Sequence, residues 1–194
     1  MDITNLAEDS EDFTGNIWLL EASDEKVLID VGEGDCWERI REVEKVDKVV
    51  ITHSHHDHVD NLDRVVEEFG PDVFAFEPDN LDVEASRIVE GDEIVLCGED
   101  FEVFHTPGHK DDSICLYCEN IGVLFTGDLV FPEGAFGRTD LAEGDRDELI
   151  DSIEKISDLD VSSFYSGHGK SVMENADASI ELSLNSAKKK EPKY

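Results

Sequence analysis

The sequence predicts a mixed α/β fold of one domain, with two β-sheets held between layers of helices. Three observations carry that expectation. Short β-branched and apolar runs recur in both halves of the chain. Apolar residues at helical spacing follow the strands of each half. No repeat, low-complexity stretch or change in composition divides the 194 residues. That length suffices for one well-buried domain, so residues 1–194 are read as a unit ending in a basic tail from about residue 188.

The elements follow in order. IWLLEA from Ile17 and KVLIDVG from Lys26 are apolar runs split by the turn-forming Ser23, Asp24 and Glu25, which predicts a hairpin. Trp37, Ile40 and Val43 recur at helical spacing, and KVVIT from Lys48 is a strand by its β-branched content. Leu62, Val65, Val66 and Phe69 stripe a helix that starts near Asp60 and stops at Gly70-Pro71; VFAF from Val73 is again a strand. In the second half EIVL, FEVFH, SICLY and GVLFTGD are strands in close succession. After a long loop from Phe131 to Gly144, Asp145 with Glu148 resembles a capping box for a helix carrying Leu149, Ile153 and Ile156. VSSFY from Val161 is a final strand, and Ala176, Ile180 and Leu184 stripe a last helix.

Charge narrows the function. Sixteen Lys and Arg against 49 Asp and Glu give a formal net charge of −33. Such a surface excludes binding to nucleic acid or an anionic membrane by counterion release. Self-repulsion of that size is tolerated in strong salt, which predicts a halophilic protein. The acidic N-terminus lacks a signal pattern and no apolar run is long enough to span a bilayer, so a cytoplasmic location is expected. Four cysteines are too few for a disulfide scaffold in a chain of this size. Cys115 and Cys118 form a CxxC, but with no second pair to complete a zinc ribbon they read as small core residues of SICLYC.

Four of the seven histidines lie in THSHHDH, as His53, His55, His56 and His58, with Asp57 among them. Core packing does not call for clustered imidazoles, whereas a divalent cation that accepts their lone pairs does. The cluster follows a strand, so His53 and His55 project to one side while Asp57 and His58 enter the next turn. One loop can thereby supply two ligands to each of two neighbouring metals. Three further strand ends each bring a ligand beside glycine: His109 in TPGH, Asp128 in FTGD and His168 in SGHG.

HxHxDH, TPGH, FTGD and GHG in this order, after LIDVG with its Asp30, resemble the metallo-β-lactamase superfamily. The resemblance runs from about Ile17 to Lys170. It implies the four-layer αββα sandwich and two divalent metal ions, zinc first, with iron or manganese as alternatives. By the same resemblance His53, His55 and His109 hold one ion, Asp57, His58 and His168 the other, and Asp128 bridges them. His56, His105 and Asp30 are read as supporting groups rather than ligands.

Within the superfamily, His55 argues against the oxygen-reducing diiron branch, which has Glu at that position. The nuclease branches need an extra domain or a phosphate-tolerant surface that this chain does not offer. GAFGRTDLAEGD (residues 134–145) resembles small glyoxalase II-like hydrolases and the related persulfide dioxygenases. Arg138 there either pairs with a substrate carboxylate or fixes the loop through Asp140. The tail lysines Lys188, Lys189, Lys190 and Lys193 read as a solvated terminus, in place of the helical extension that holds glutathione in full-length glyoxalase II.

The expected activity is hydrolysis of a small-molecule acyl thioester or related thiol-derived substrate. The nucleophile is a water deprotonated between the two cations, and Asp57 orients it. The alternative is a mononuclear iron persulfide dioxygenase using His53, His109 and Asp128 as a two-His, one-carboxylate triad. A non-catalytic metal-binding protein is the weakest reading, because it has no use for seven ligands.

Overall fold

The computed structural model describes residues 1–10 and 14–189. Among these described residues are a six-stranded sheet, a five-stranded sheet and five α-helices. The chain falls into two compact units, Met1–Val103 and Phe104–Tyr194.

In the first unit the strand order is β1 (Asp2–Asn5), β2 (Trp18–Glu21), β3 (Lys26–Ile29), β4 (Lys48–Val50), β5 (Asp72–Ala75), β6 (Ser86–Arg87). The first three strands run antiparallel, and β3 to β6 run parallel. Parallel neighbours need crossovers. These are α1 (Cys36–Arg41) between β3 and β4, and α2 (His56–Val59) with α3 (Leu62–Phe69) between β4 and β5. Leu28, Val49, Ile40 and Val65 are fully buried in one cluster with Ile51, Leu62 and Val73. Burying each such side chain stabilises the fold by about 1.5–3 kcal/mol relative to leaving it exposed. Gly70 ends α3 in the left-handed conformation at φ 61°. The hairpin of β7 (Glu93–Leu96) and β8 (Glu99–His105) turns on Cys97 and Gly98, both at positive φ.

In the second unit β9 (Ile114–Cys118) pairs antiparallel with β10 (Val123–Gly127), which pairs parallel with β11 (Ser163–Ser166). Every residue of these three strands is buried, which explains why their sequences are runs rather than alternations. Two helices pack together here, α4 (Arg146–Ser157) and α5 (Ala176–Lys188). Asp145 caps α4 by accepting from the amides of Asp147 at 2.8 Å and Glu148 at 3.1 Å. Leu149, Ile153, Ile156 and Ile180 meet over Leu124 and Phe164.

Two strands escape the sequence reading. β1 lies in a stretch read only as an acidic terminus, and β6 is two residues long; both are edge strands whose pairing, not composition, makes them strands. The helix expected near Asp60 is two pieces: one turn of α2 carries His56, Asp57 and His58, and α3 begins after Asn61. Lys190 and Lys193 lie outside the described residues; Lys188 ends α5 and pairs with Glu154 at 2.5 Å. Among the described residues no helix is long and apolar enough to cross a membrane.

Candidate metal centre

The first unit carries four of the predicted ligands, and one carboxylate orients two of them. Asp30, just past β3, takes the left-handed conformation at φ 60°, which for a residue other than glycine costs about 1–3 kcal/mol. That twist turns its side chain back onto the histidine loop. Asp30 Oδ1 accepts the amide of Thr52 at 2.7 Å, and Oδ2 accepts the Thr52 hydroxyl and His58 Nδ1, each at 2.7 Å. A carboxylate only accepts, so the proton of the His58 ring sits on Nδ1 and Nε2 is left as its lone-pair atom. The Thr52 hydroxyl donates its hydrogen bond to Asp30, so its oxygen accepts one from His53 Nδ1 at 3.1 Å. His53 thereby presents Nε2 as well. One buried carboxylate sets the tautomer of two imidazoles, the arrangement that metal-ligating histidines use.

His55 is the residue before α2, and its ring stands edge-on to His53 with centroids 4.9 Å apart. The His58 ring lies 4.1 Å from that of His53, and Asp57 Oδ2 lies 3.9 Å from His58 Nε2. The turn itself is pinned from outside. Gly15 donates its amide to the Asp57 carbonyl at 2.9 Å, and Val31 donates to that of His58 at 2.9 Å.

The second unit positions the other three. His109 follows Gly108, whose φ of 123° and contact with the backbone of Leu149 leave no place for a side chain. His109 Nδ1 donates to the carbonyl of Arg138 at 2.8 Å, which again assigns the lone pair to Nε2. Asp128 follows Gly127, at an irregularity in the β10–β11 register. His168 follows β11, with Ser166 Oγ on its carbonyl at 2.8 Å. Asp128 Oδ2 stands 3.4 Å from His109 Nε2 and 3.5 Å from His168 Nε2. These separations exceed a good hydrogen bond and match donors sharing a cation. All seven predicted ligands belong to sets of His and Asp able to hold a metal ion.

The other singled-out residues lie apart from those sets. The exposed His56 faces Asp60 and Glu33 at 3.5 and 3.7 Å, and His105 Nε2 meets the carbonyl of Asp111 at 2.7 Å. Cys115 and Cys118 are fully buried in β9, and among the described residues no disulfide joins any of the cysteines. The Arg138 guanidinium forks onto Asp140 at 2.7 and 2.8 Å. That hydrogen-bonded charge pair holds the Asp140 carboxyl below its ordinary range and raises the guanidinium's. Of Arg138 it is the backbone carbonyl, not the guanidinium, that reaches a ligand.

Sequence reasoning missed three contributors. Thr52 stands in the motif but was read only as the end of a strand. Gly137, in the GRTD segment, passes so close to Asp128 and His109 that a Cβ would strike the Asp128 carbonyl. Gly15 touches His58 from far upstream. The glycine beside Arg138 was the one legible signal, since a glycine in an otherwise polar loop marks a close backbone approach.

A mixed α/β chain with two sheets, and with histidines and aspartates from several strand ends grouped in sets that could hold a metal ion, points to a metal-dependent class of protein. The chain belongs to the metallo-beta-lactamase superfamily, whose family model matches residues 11–168. It is 36% identical over 160 residues to a hydroxyacylglutathione hydrolase of Chromohalobacter salexigens, covering 78% of this chain and 61% of that protein. The chain thus spans about three fifths of that relative's length. Among solved structures it is similar to the BLEG-1 B3 metallo-beta-lactamase, with a TM-score of 0.76 and 27% identity over 95% of this chain and 97% of that one. It is also similar to ETHE1 from Myxococcus xanthus, with a TM-score of 0.76 and 25% identity over 96% and 90% of the two chains.

Proposed function

We propose that the chain is a dinuclear metallohydrolase of small-molecule acyl thioesters, glyoxalase II-like, working in a salt-rich cytoplasm. The observation that carries the reading is the position of Asp128. Its Oδ2 lies 3.4 and 3.5 Å from Nε2 of His109 and His168, close to the roughly 3.4 Å that separates two ligands on a tetrahedral zinc. In this reading His53, His55 and His109 hold one ion, Asp57, His58 and His168 the other, and Asp128 serves both.

Two divalent ions, zinc in the first instance, would supply an activated water near neutral pH and polarise the acyl carbonyl. The remaining work falls to the chain. Asp30 and Thr52 hold His53 and His58 in the neutral tautomer that presents Nε2, and the Arg138 carbonyl does so for His109. In this reading Asp57, in the first turn of α2, also orients the attacking water. The departing thiolate, with a conjugate acid near ~8.5, needs no general acid.

The resemblance of the GRTD segment also fits a persulfide dioxygenase that uses one iron on His53, His109 and Asp128. The test is to purify the protein anaerobically and assay it in high salt with an acyl thioester and with a persulfide. Thiol release without oxygen uptake, from protein carrying two metals, supports the hydrolase. Oxygen uptake with one iron per chain and no thiol release overturns it.

A further inference from the structure

Gly15 lies outside every metal motif, in the segment before β2, and is buried. Its backbone stays out of the left-handed region, so nothing in its own conformation calls for glycine. In this it differs from Gly70, Gly91 and Gly98, which have open space around the missing side chain but take positive φ. What excludes a side chain at Gly15 is a neighbour. A Cβ there would stand 2.9 Å from both Cε1 and Nε2 of His58 and 3.0 Å from the Asp57 carbonyl oxygen. Comfortable contact between carbons needs about 3.5–4.0 Å.

His58 has nowhere to retreat. Its side chain is fully buried, its Nδ1 is tied to Asp30 at 2.7 Å, and the ring of His53 stands with its centroid 4.1 Å away. The amide of Gly15 meanwhile holds the Asp57 carbonyl at 2.9 Å. The bare Cα therefore sits beside the lone-pair nitrogen of one ligand while the amide fixes the backbone of the residue before it.

We propose that Gly15 is the positioning residue of the second metal site, seating the Asp57–His58 turn so that both side chains reach one ion. The proposal rests on the reading of Asp57, His58 and His168 as ligands of that ion. It predicts a site-selective effect from a residue whose nearest neighbours all belong to Asp57 and His58. A methyl group at this position should strike the His58 ring and the Asp57 carbonyl before any other ligand.

The experiment is calorimetric titration of the full chain, stripped of metal, with Zn(II) alone. Wild type should take up two ions; fewer would overturn the reading of the site and this proposal with it. Gly15→Ala should keep one ion at wild-type affinity and bind the other about 10- to 100-fold more weakly, the usual effect of disturbing a ligand's support. Combining it with His168→Ala should cost no more than the larger single effect, because both act on one ion. Two undiminished ions in Gly15→Ala, or equal weakening of both, would overturn the proposal. Where the variant does not fold, hydrogen exchange in the wild type decides. The Gly15 amide should become more protected as the second equivalent of Zn(II) binds, and an amide that exchanges freely with and without metal would overturn it.

Discussion

Asp30 Oδ2 accepts Nδ1 of His58 at 2.7 Å, from a backbone conformation that few residues other than glycine adopt. The same carboxylate reaches His53 through Thr52. Asp30 joins two of the first unit's predicted ligands, His53 and His58, without being one of them. Asp30→Asn keeps a side chain that tolerates the left-handed region but replaces an accepting oxygen by a donor. Metal affinity should fall by about 10- to 100-fold, read by titration with Zn(II). Asp30→Ala, which strips three buried donors of their acceptor, should also lower stability by at least about 2 kcal/mol in denaturant melts.

Asp128 Oδ2 lies within 3.5 Å of Nε2 of two other predicted ligands, His109 and His168. Asp128→Ala should reduce metal content at both sites, whereas His168→Ala should leave one ion per chain. Elemental analysis of the purified variants distinguishes these. Two ions retained in Asp128→Ala would remove the bridging role.

Arg138 separates side chain from backbone. Its guanidinium is engaged by Asp140 in solvent, while its carbonyl steers His109. Arg138→Ala should therefore leave Zn(II) uptake unchanged, since the carbonyl remains. If the guanidinium also pairs with a substrate carboxylate, KM for an anionic acyl thioester should rise in the variant with kcat little changed. An unchanged KM would leave the guanidinium only its loop contact.

The same pair has a pH signature. The hydrogen bond from Arg138 lowers the Asp140 carboxyl, so the folded value lies beneath the unfolded one. Its contribution is present above the ordinary carboxylate value and is lost as pH falls through the folded one. Both groups are fully exposed, so the effect on global stability should be small. A carboxyl titration followed by NMR should show Asp140 moving up toward the ordinary carboxylate range in Arg138→Ala.

A net charge of −33 should destabilise the folded chain when screening is weak. The Debye length shortens from about 10 Å at 0.1 M to about 3 Å at 1 M. The Tm should rise steeply with added KCl. A Tm unchanged between dilute buffer and molar salt would remove the halophilic reading.

The sequence by itself determined the elements whose composition matches their environment. The buried strands β4, β9 and β10 read as β-branched and apolar runs, α3 and α4 as apolar stripes with their stop and start residues Gly70 and Asp145. It also singled out the candidate ligands, because clustered histidines with aspartates at strand ends have little other physical use. Tertiary structure decided what depends on partners remote in the chain. β1 and β6 are strands only because a neighbour offers hydrogen bonds. Asp30 orients His58 only because the left-handed turn after β3 aims it across to the next crossover. Gly15 and Gly137 matter through space they leave empty beside His58, His109 and Asp128. A hydrogen is the same letter in the sequence whether it faces water or a ligand, and only the fold brings up the atom that a methyl group would strike.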